Sequence, residues 1–175
     1  MNAISSDALN SLRSIEGTED QTRVLNRLAG LQLLPRKESV QSAMSVCAKS
    51  VSLIRHTQPM LLKQYIPLTV EGDVNCLYRA VSMAMYGCED YHVMLRALTA
   101  AEVLTHREWY DASLPNCRNP LCAVSEIVMP SYEKLVHDVT HLGGSCDINA
   151  VLALSAVIGF PIHTSWPLLS ASLQP

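Results

Sequence analysis

A helix-rich α+β fold with a small sheet is the class this sequence predicts, and three observations lead there. Apolar residues recur at helical spacing through most of the chain. The β-prone runs are few and short, QYIPLTV at 64–70 and PIHTSW at 161–166. The second of them follows the helical segments, as in α+β proteins. One or two strands cannot stand alone, so the sheet is expected to be incomplete.

The 175 residues are 49% apolar and 17% charged, a globular balance with enough chain for one core. Thirteen Lys and Arg face sixteen Asp and Glu, a net charge of −3. That provides no cationic field for nucleic acid or an anionic membrane. The opening MNAISSDALNSLRS lacks a signal peptide's apolar stretch. No run approaches the roughly 20 apolar residues of a membrane span. An intracellular protein, cytoplasmic or nuclear, is expected. The six cysteines, Cys47, Cys76, Cys88, Cys117, Cys122 and Cys146, are then expected to be reduced.

Residues 1–60 read as a helical N-terminal extension. Thr18 with Gln21 forms a capping-box pattern, followed by Val24, Leu25, Leu28 and Leu31 at helical spacing, with Gly30 near the C-cap. In LPRKESVQSAMSVCAKSVSLIR, the residues Val40, Met44, Cys47, Val51 and Ile54 form one apolar stripe. These helices cap the following domain or dock a protein partner. Residues 64–175 read as the main domain. QYIPLTV, broken by Pro67, is an extended approach to a turn. Leu77 to Tyr86 is a helix with Leu77, Ala80, Val81 and Ala84 on one face and Gly87 at its end. DYHVMLRALTAAEVLTHREWYD is a longer helix with Val93, Leu95, Leu98, Ala101, Val103 and Leu104 inside, closed by a packing corner at Trp109 and Tyr110. Residues 111–131 are an irregular connection. YEKLVHDVTHLGG is a short helix stopped by Gly143 and Gly144, DINAVLALSAVIGF is a helix capped by Asp147, and PIHTSW is a strand.

The candidate site is the stretch EGDVNCLYRA at 71–80. A thiol attacks as its thiolate, and a helix N-terminus, with free N–H groups and a positive dipole end, favours that form. Cys76 stands there. The turn before it, Gly72-Asp73-Val74-Asn75, is able to aim backbone N–H groups at an oxyanion. Arg79 and Arg96 are read as partners of carboxylates or caps of carbonyls.

Asp73, Asn75, Cys76, Leu77, Tyr78, Arg79 and Ala80 resemble the signature of the OTU (ovarian tumour) family of cysteine proteases, and Gly87, His92, Leu95 and Arg96 continue it. DINAVLALSAVIGFPIHTSWP is similar to that family's next landmark, so the resemblance spans about residues 64–168. It implies a papain-type fold and a cysteine-type deubiquitinase without cofactor. Cys76 would be the nucleophile on an isopeptide carbonyl of ubiquitin or a ubiquitinated protein. Asp73 would serve the catalytic site by holding the turn, and Val74 and Asn75 would complete the oxyanion turn.

Two departures matter. Val74 stands where the family has Gly, and a β-branched residue tolerates left-handed backbone poorly. The family's base follows on a later strand than the one PIHTSW resembles, and Pro175 precedes it. The base is therefore carried onto no residue, with His163 the in-chain substitute. The alternative reading is a catalytically inactive, OTU-derived interaction or regulatory module, similar to vertnin and to relatives encoded by mobile elements. A minor alternative is zinc binding by Cys117, Cys122, His137 and His141, whose spacing approaches a Cys2His2 pattern.

Overall fold

The computed structural model describes residues 7, 9–11, 25, 26, 28, 33, 45–123 and 129–164. The Thr18 capping box and the residues Val40 and Met44 lie outside them. The described helices are α1 (Ala48–Thr57), α2 (Cys76–Tyr86), α3 (His92–Thr105), α4 (Arg107–Tyr110), α5 (Tyr132–Thr140) and α6 (Ile148–Ile158), with 3-10 turns at Pro59–Lys63 and Pro120–Ala123.

Helix α3 is the centre. Val93, Met94, Leu95, Arg96, Ala97, Thr99, Ala100 and Val103 are all buried, and a helix buried on every side belongs to the interior of a bundle. It packs against α2, α5 and α6. One side joins Val93, Ala97, Ala100 and Val103 to Leu135 and Val139 of α5 and to Ala150 and Ala153 of α6. The other joins Met94 and Leu95 to Tyr78, Val81, Met85 and Tyr86 of α2 and Leu154 of α6. Leu9 and Leu28, fully buried, complete the first cluster. Leu9→Ala is expected to cost about 2–5 kcal/mol through its transfer and cavity contributions, read as a lower urea midpoint.

The helix ends follow local chemistry. Gly87 and Gly159 close α2 and α6 at φ 77° and 70°, the left-handed conformation that glycine adopts without a Cβ clash. Asp147 caps α6 by accepting from the Ala150 N–H at 3.0 Å, and Ser131 caps α5 by accepting from the Lys134 N–H at 3.2 Å.

The expected sheet is overturned: among the described residues there is no strand. The one β feature is an isolated antiparallel bridge, Val46 to Leu68, held by Cys47 N–H to Pro67 O and Thr69 N–H to Ser45 O. Pro67 has no N–H to extend that ladder. Pro161–Thr164 carries no strand assignment, because β-propensity without a partner edge makes no sheet. Three helical expectations also change. The stripe through Cys47 begins only at Ala48, since Ser45–Cys47 belongs to the bridge and Cys47 is extended. The long helix breaks at His106 (φ −117°, ψ 50°) and resumes as one turn. The buried face of α2 is Tyr78, Val81, Ser82, Met85 and Tyr86, while Ala80 and Ala84 are exposed. The larger side chains of α2 take the core against α3. No helix among the described residues is long and apolar enough to cross a membrane.

Candidate active site

Cys76 is the first residue of α2, and its thiol is free and exposed. It is not buried in a helix interior, so the placement is open to an approaching substrate. The turn ahead of it is built around the Asp73 carboxylate. Oδ1 accepts from the Asn75 N–H at 2.9 Å and from Arg79 Nε at 3.1 Å. Oδ2 accepts from Asn75 Nδ2 and Arg79 Nη2, both at 3.0 Å. Side chains of Asp that bond the backbone two residues on stabilise such turns.

The Arg79 guanidinium holds the Asp73 carboxyl well below the usual carboxylate range, with the Asn75 side chain and N–H adding to the effect against partial burial. Arg79 is in turn pushed up, chiefly by Asp73. It also reaches Glu71 at 3.0 Å and Glu89 at 3.2 Å. Of the two roles open to the arginines, Arg79 therefore takes the carboxylates, and Asp73 is a fixed anion facing an arginine.

The depressed native value of Asp73 means that its stabilisation is complete above the unfolded value of about 3.9 and is lost as pH falls through the native one. Asp138 behaves alike: burial pushes its carboxyl up, but Lys134, Ser145 and His137 outweigh that and hold it low. Asp73→Asn is expected to cost about 1 kcal/mol at neutral pH, since the site is partly solvated. It is also expected to flatten the fall in stability below about pH 4. Urea titrations at a series of pH values read both effects.

Two of the turn's backbone donors are occupied internally. The Cys76 N–H donates to Asp73 O at 3.0 Å, and the Asn75 N–H to Asp73 Oδ1. Two of the N–H groups expected at an oxyanion hole thus already point at Asp73. Asn75 Oδ1, an acceptor, is buried beside them without a partner among the described residues.

Val74 is exposed, and its carbonyl points inward to Arg96 Nη2 at 3.1 Å. Its Cγ2 lies where a Cβ on Gly143 would be 3.4 Å away. Arg96 takes the carbonyl role. It is fully buried, and it donates through Nη1 to the Asp138 and His141 carbonyls, both at 2.7 Å, and through Nη2 to that of Gly144 at 3.0 Å. The Tyr78 ring lies 4.5 Å below its charge. Arg96 ties the Val74 turn to the 138–144 loop, a role that two segments distant in sequence create and spacing alone did not reveal. Cys146 sits under the same junction, its Sγ 3.9 Å from Arg96 Nη2, with burial pushing its thiol up.

The structure therefore brings Asp73, Val74, Asn75 and Cys76 together, and of the histidines His141 lies nearby through its carbonyl, which shares Arg96 with that of Val74. Among the described residues no histidine hydrogen-bonds Cys76. His163 lines a separate cavity of about 480 Å³ with Ile54, Tyr65, Ile66 and Pro67. His92 Nδ1 lies 2.7 Å from Glu89 O. His137 and His141 stack at 3.9 Å between ring centroids. Cys117 and Cys122 meet each other, but among the described residues no three His, Cys, Asp or Glu side chains converge on a metal position. The four-ligand zinc reading is not assembled.

Residues 67–131 match the family model described as "Vertnin, OTU domain". The matched stretch holds the Asp73–Cys76 turn, α2, α3 and α4, and supports an OTU-like domain there. It covers less than half of the chain. No curated protein and no solved structure matches the chain.

Proposed function

We propose that the OTU-like domain of this chain is an interaction or regulatory module that binds a protein partner without hydrolysing it. The observation that carries the reading is the internally closed turn: Asn75 and Cys76 donate their N–H groups to Asp73. Val74 supports it, because an exposed β-branched side chain stands in the turn where the OTU family has Gly. The family match to a vertnin-type OTU domain agrees with a regulatory role. Ubiquitin, or a ubiquitin-bearing protein, is the partner the OTU ancestry implies, and the cytoplasm or nucleus is the compartment.

A second reading is favoured by one observation. Cys76 is an exposed thiol at a helix N-terminus, the placement that activates nucleophilic cysteines. In that reading the protein is a cysteine-type deubiquitinase whose turn opens on substrate binding. Ubiquitin carrying a fluorogenic C-terminal amide separates the two. The module reading expects saturable binding by the full chain, with release of fluorophore no faster than from Cys76→Ala. Turnover that Cys76→Ala abolishes establishes the hydrolase.

A further inference from the structure

Cys117 and Cys122 bracket a short surface step, Arg118–Leu121, and their sulfurs lie 3.1 Å apart as free thiols. The step is held at several points. Cys117 N–H donates to Leu114 O at 3.1 Å, Arg118 N–H to Glu108 O at 2.8 Å, and Cys122 N–H to Asn119 O at 3.1 Å. Asn119 is buried. Its Oδ1 accepts from the Leu121 N–H at 3.0 Å, and its Nδ2 donates to Asn149 Oδ1 of α6 at 3.2 Å. The near approach of the two sulfurs is thus set by an anchored backbone and not by side-chain rotation alone.

The step is also a wall. Asn119, Pro120 and Leu121 line a cavity of about 500 Å³ whose other sides include Trp109, Tyr110 and Leu152. Nothing in the proposed partner-binding role uses this cysteine pair, and among the described residues no third ligand joins it to make a metal site.

We propose that Cys117 and Cys122 form a reversible thiol–disulfide pair, oxidised by a low-molecular-weight disulfide of the glutathione class, and that the bond fixes the Asn119–Leu121 wall of the Trp109 cavity. A disulfide has its sulfurs about 2 Å apart, so closure moves them by about 1 Å from their present 3.1 Å. Burial, with the Cys117 contact next, pushes the Cys122 thiol up to about 11. That favours Cys117 as the attacking thiol and Cys122 as the resolving one. The Cys117 thiolate attacks one sulfur of oxidised glutathione, and a glutathione thiolate leaves and is protonated. Cys122 then loses its proton and attacks the Cys117 sulfur of the mixed disulfide, expelling the second glutathione thiolate. Two protein thiols are oxidised to one disulfide, and one glutathione disulfide is reduced to two thiols.

The test equilibrates the full chain in glutathione buffers of graded oxidation, quenches by alkylation and maps each cysteine by peptide mass spectrometry. The expected result is a Cys117–Cys122 disulfide, formed at a lower oxidised fraction than modification of the exposed Cys76. Cys122→Ser is expected to accumulate Cys117 glutathione mixed disulfide, and Cys117→Ser to leave Cys122 as a thiol. In a Trp166→Phe background, Trp109 emission should shift on oxidation and revert on reduction, with no shift in Cys122→Ser. Far-UV spectra of both serine variants check that they remain folded. The proposal is overturned if Cys117 and Cys122 stay thiols where Cys76 is already modified, if either pairs with another cysteine, or if Trp109 does not respond.

Discussion

Replacing Arg96 by alanine is expected to remove about 3–5 kcal/mol of stability, a large share of the roughly 5–15 kcal/mol that holds a domain together. The side chain is fully buried and its hydrogen-bonding partners are backbone carbonyls, those of Val74, Asp138, His141 and Gly144. Truncation removes the arginine donor from the Val74, Asp138 and Gly144 carbonyls, while that of His141 keeps the Gly144 N–H; each group left unpaired and buried costs about 1–3 kcal/mol. It also removes the charge above the Tyr78 ring. Arg96→Lys is expected to recover little, because a compact ammonium cannot span carbonyls on both sides of the fork. A urea titration reads the loss as a lower midpoint. Retention of the wild-type midpoint in Arg96→Ala would show that the Val74 turn and the 138–144 loop do not depend on this residue.

Gly144→Ala is expected to cost about 2–3 kcal/mol, at the upper end of overpacking effects. A Cβ there would stand 2.0 Å from Asp138 O and 2.7 Å from the carbonyl carbon and Cα of the same residue. All three are backbone atoms, so no flexible side-chain end is present to move aside. The loop must shift, and it carries three of the carbonyls that Arg96 grips. Gly72→Ala is the internal control. A Cβ at Gly72 meets nothing within 4 Å, so the change is expected to stay within about 0.5 kcal/mol. Equal thermal shifts for the two variants would contradict the account of Gly144.

Local chemistry was legible in the sequence, and long-range pairing was not. Asp147 as a cap and Gly87 as a stop depend on one to three neighbouring residues, and both stand where the pattern puts them. The Asp73–Cys76 turn is likewise contiguous, so its residues come together without tertiary help. The sheet is the opposite case. PIHTSW has strand-forming residues, but a strand exists only against a second edge, and Pro161–Thr164 has none among the described residues. The face of α2 was misplaced because apolar residues occur on more than one side of that helix, and packing against α3 chose Tyr78 and Met85. Arg96 was left with two roles because its carbonyl partners at Asp138, His141 and Gly144 lie more than forty positions away.

The central claim is that the turn before Cys76 is closed on Asp73 and does not serve an acyl-transfer site. The most direct test incubates the full chain with ubiquitin bearing a C-terminal thiol-reactive warhead and follows the intact mass. The closed turn predicts no gain of one ubiquitin from a folded, ubiquitin-binding sample. A stoichiometric adduct that disappears in Cys76→Ala would contradict it, and would mean that the turn opens and that a base reaches the thiol.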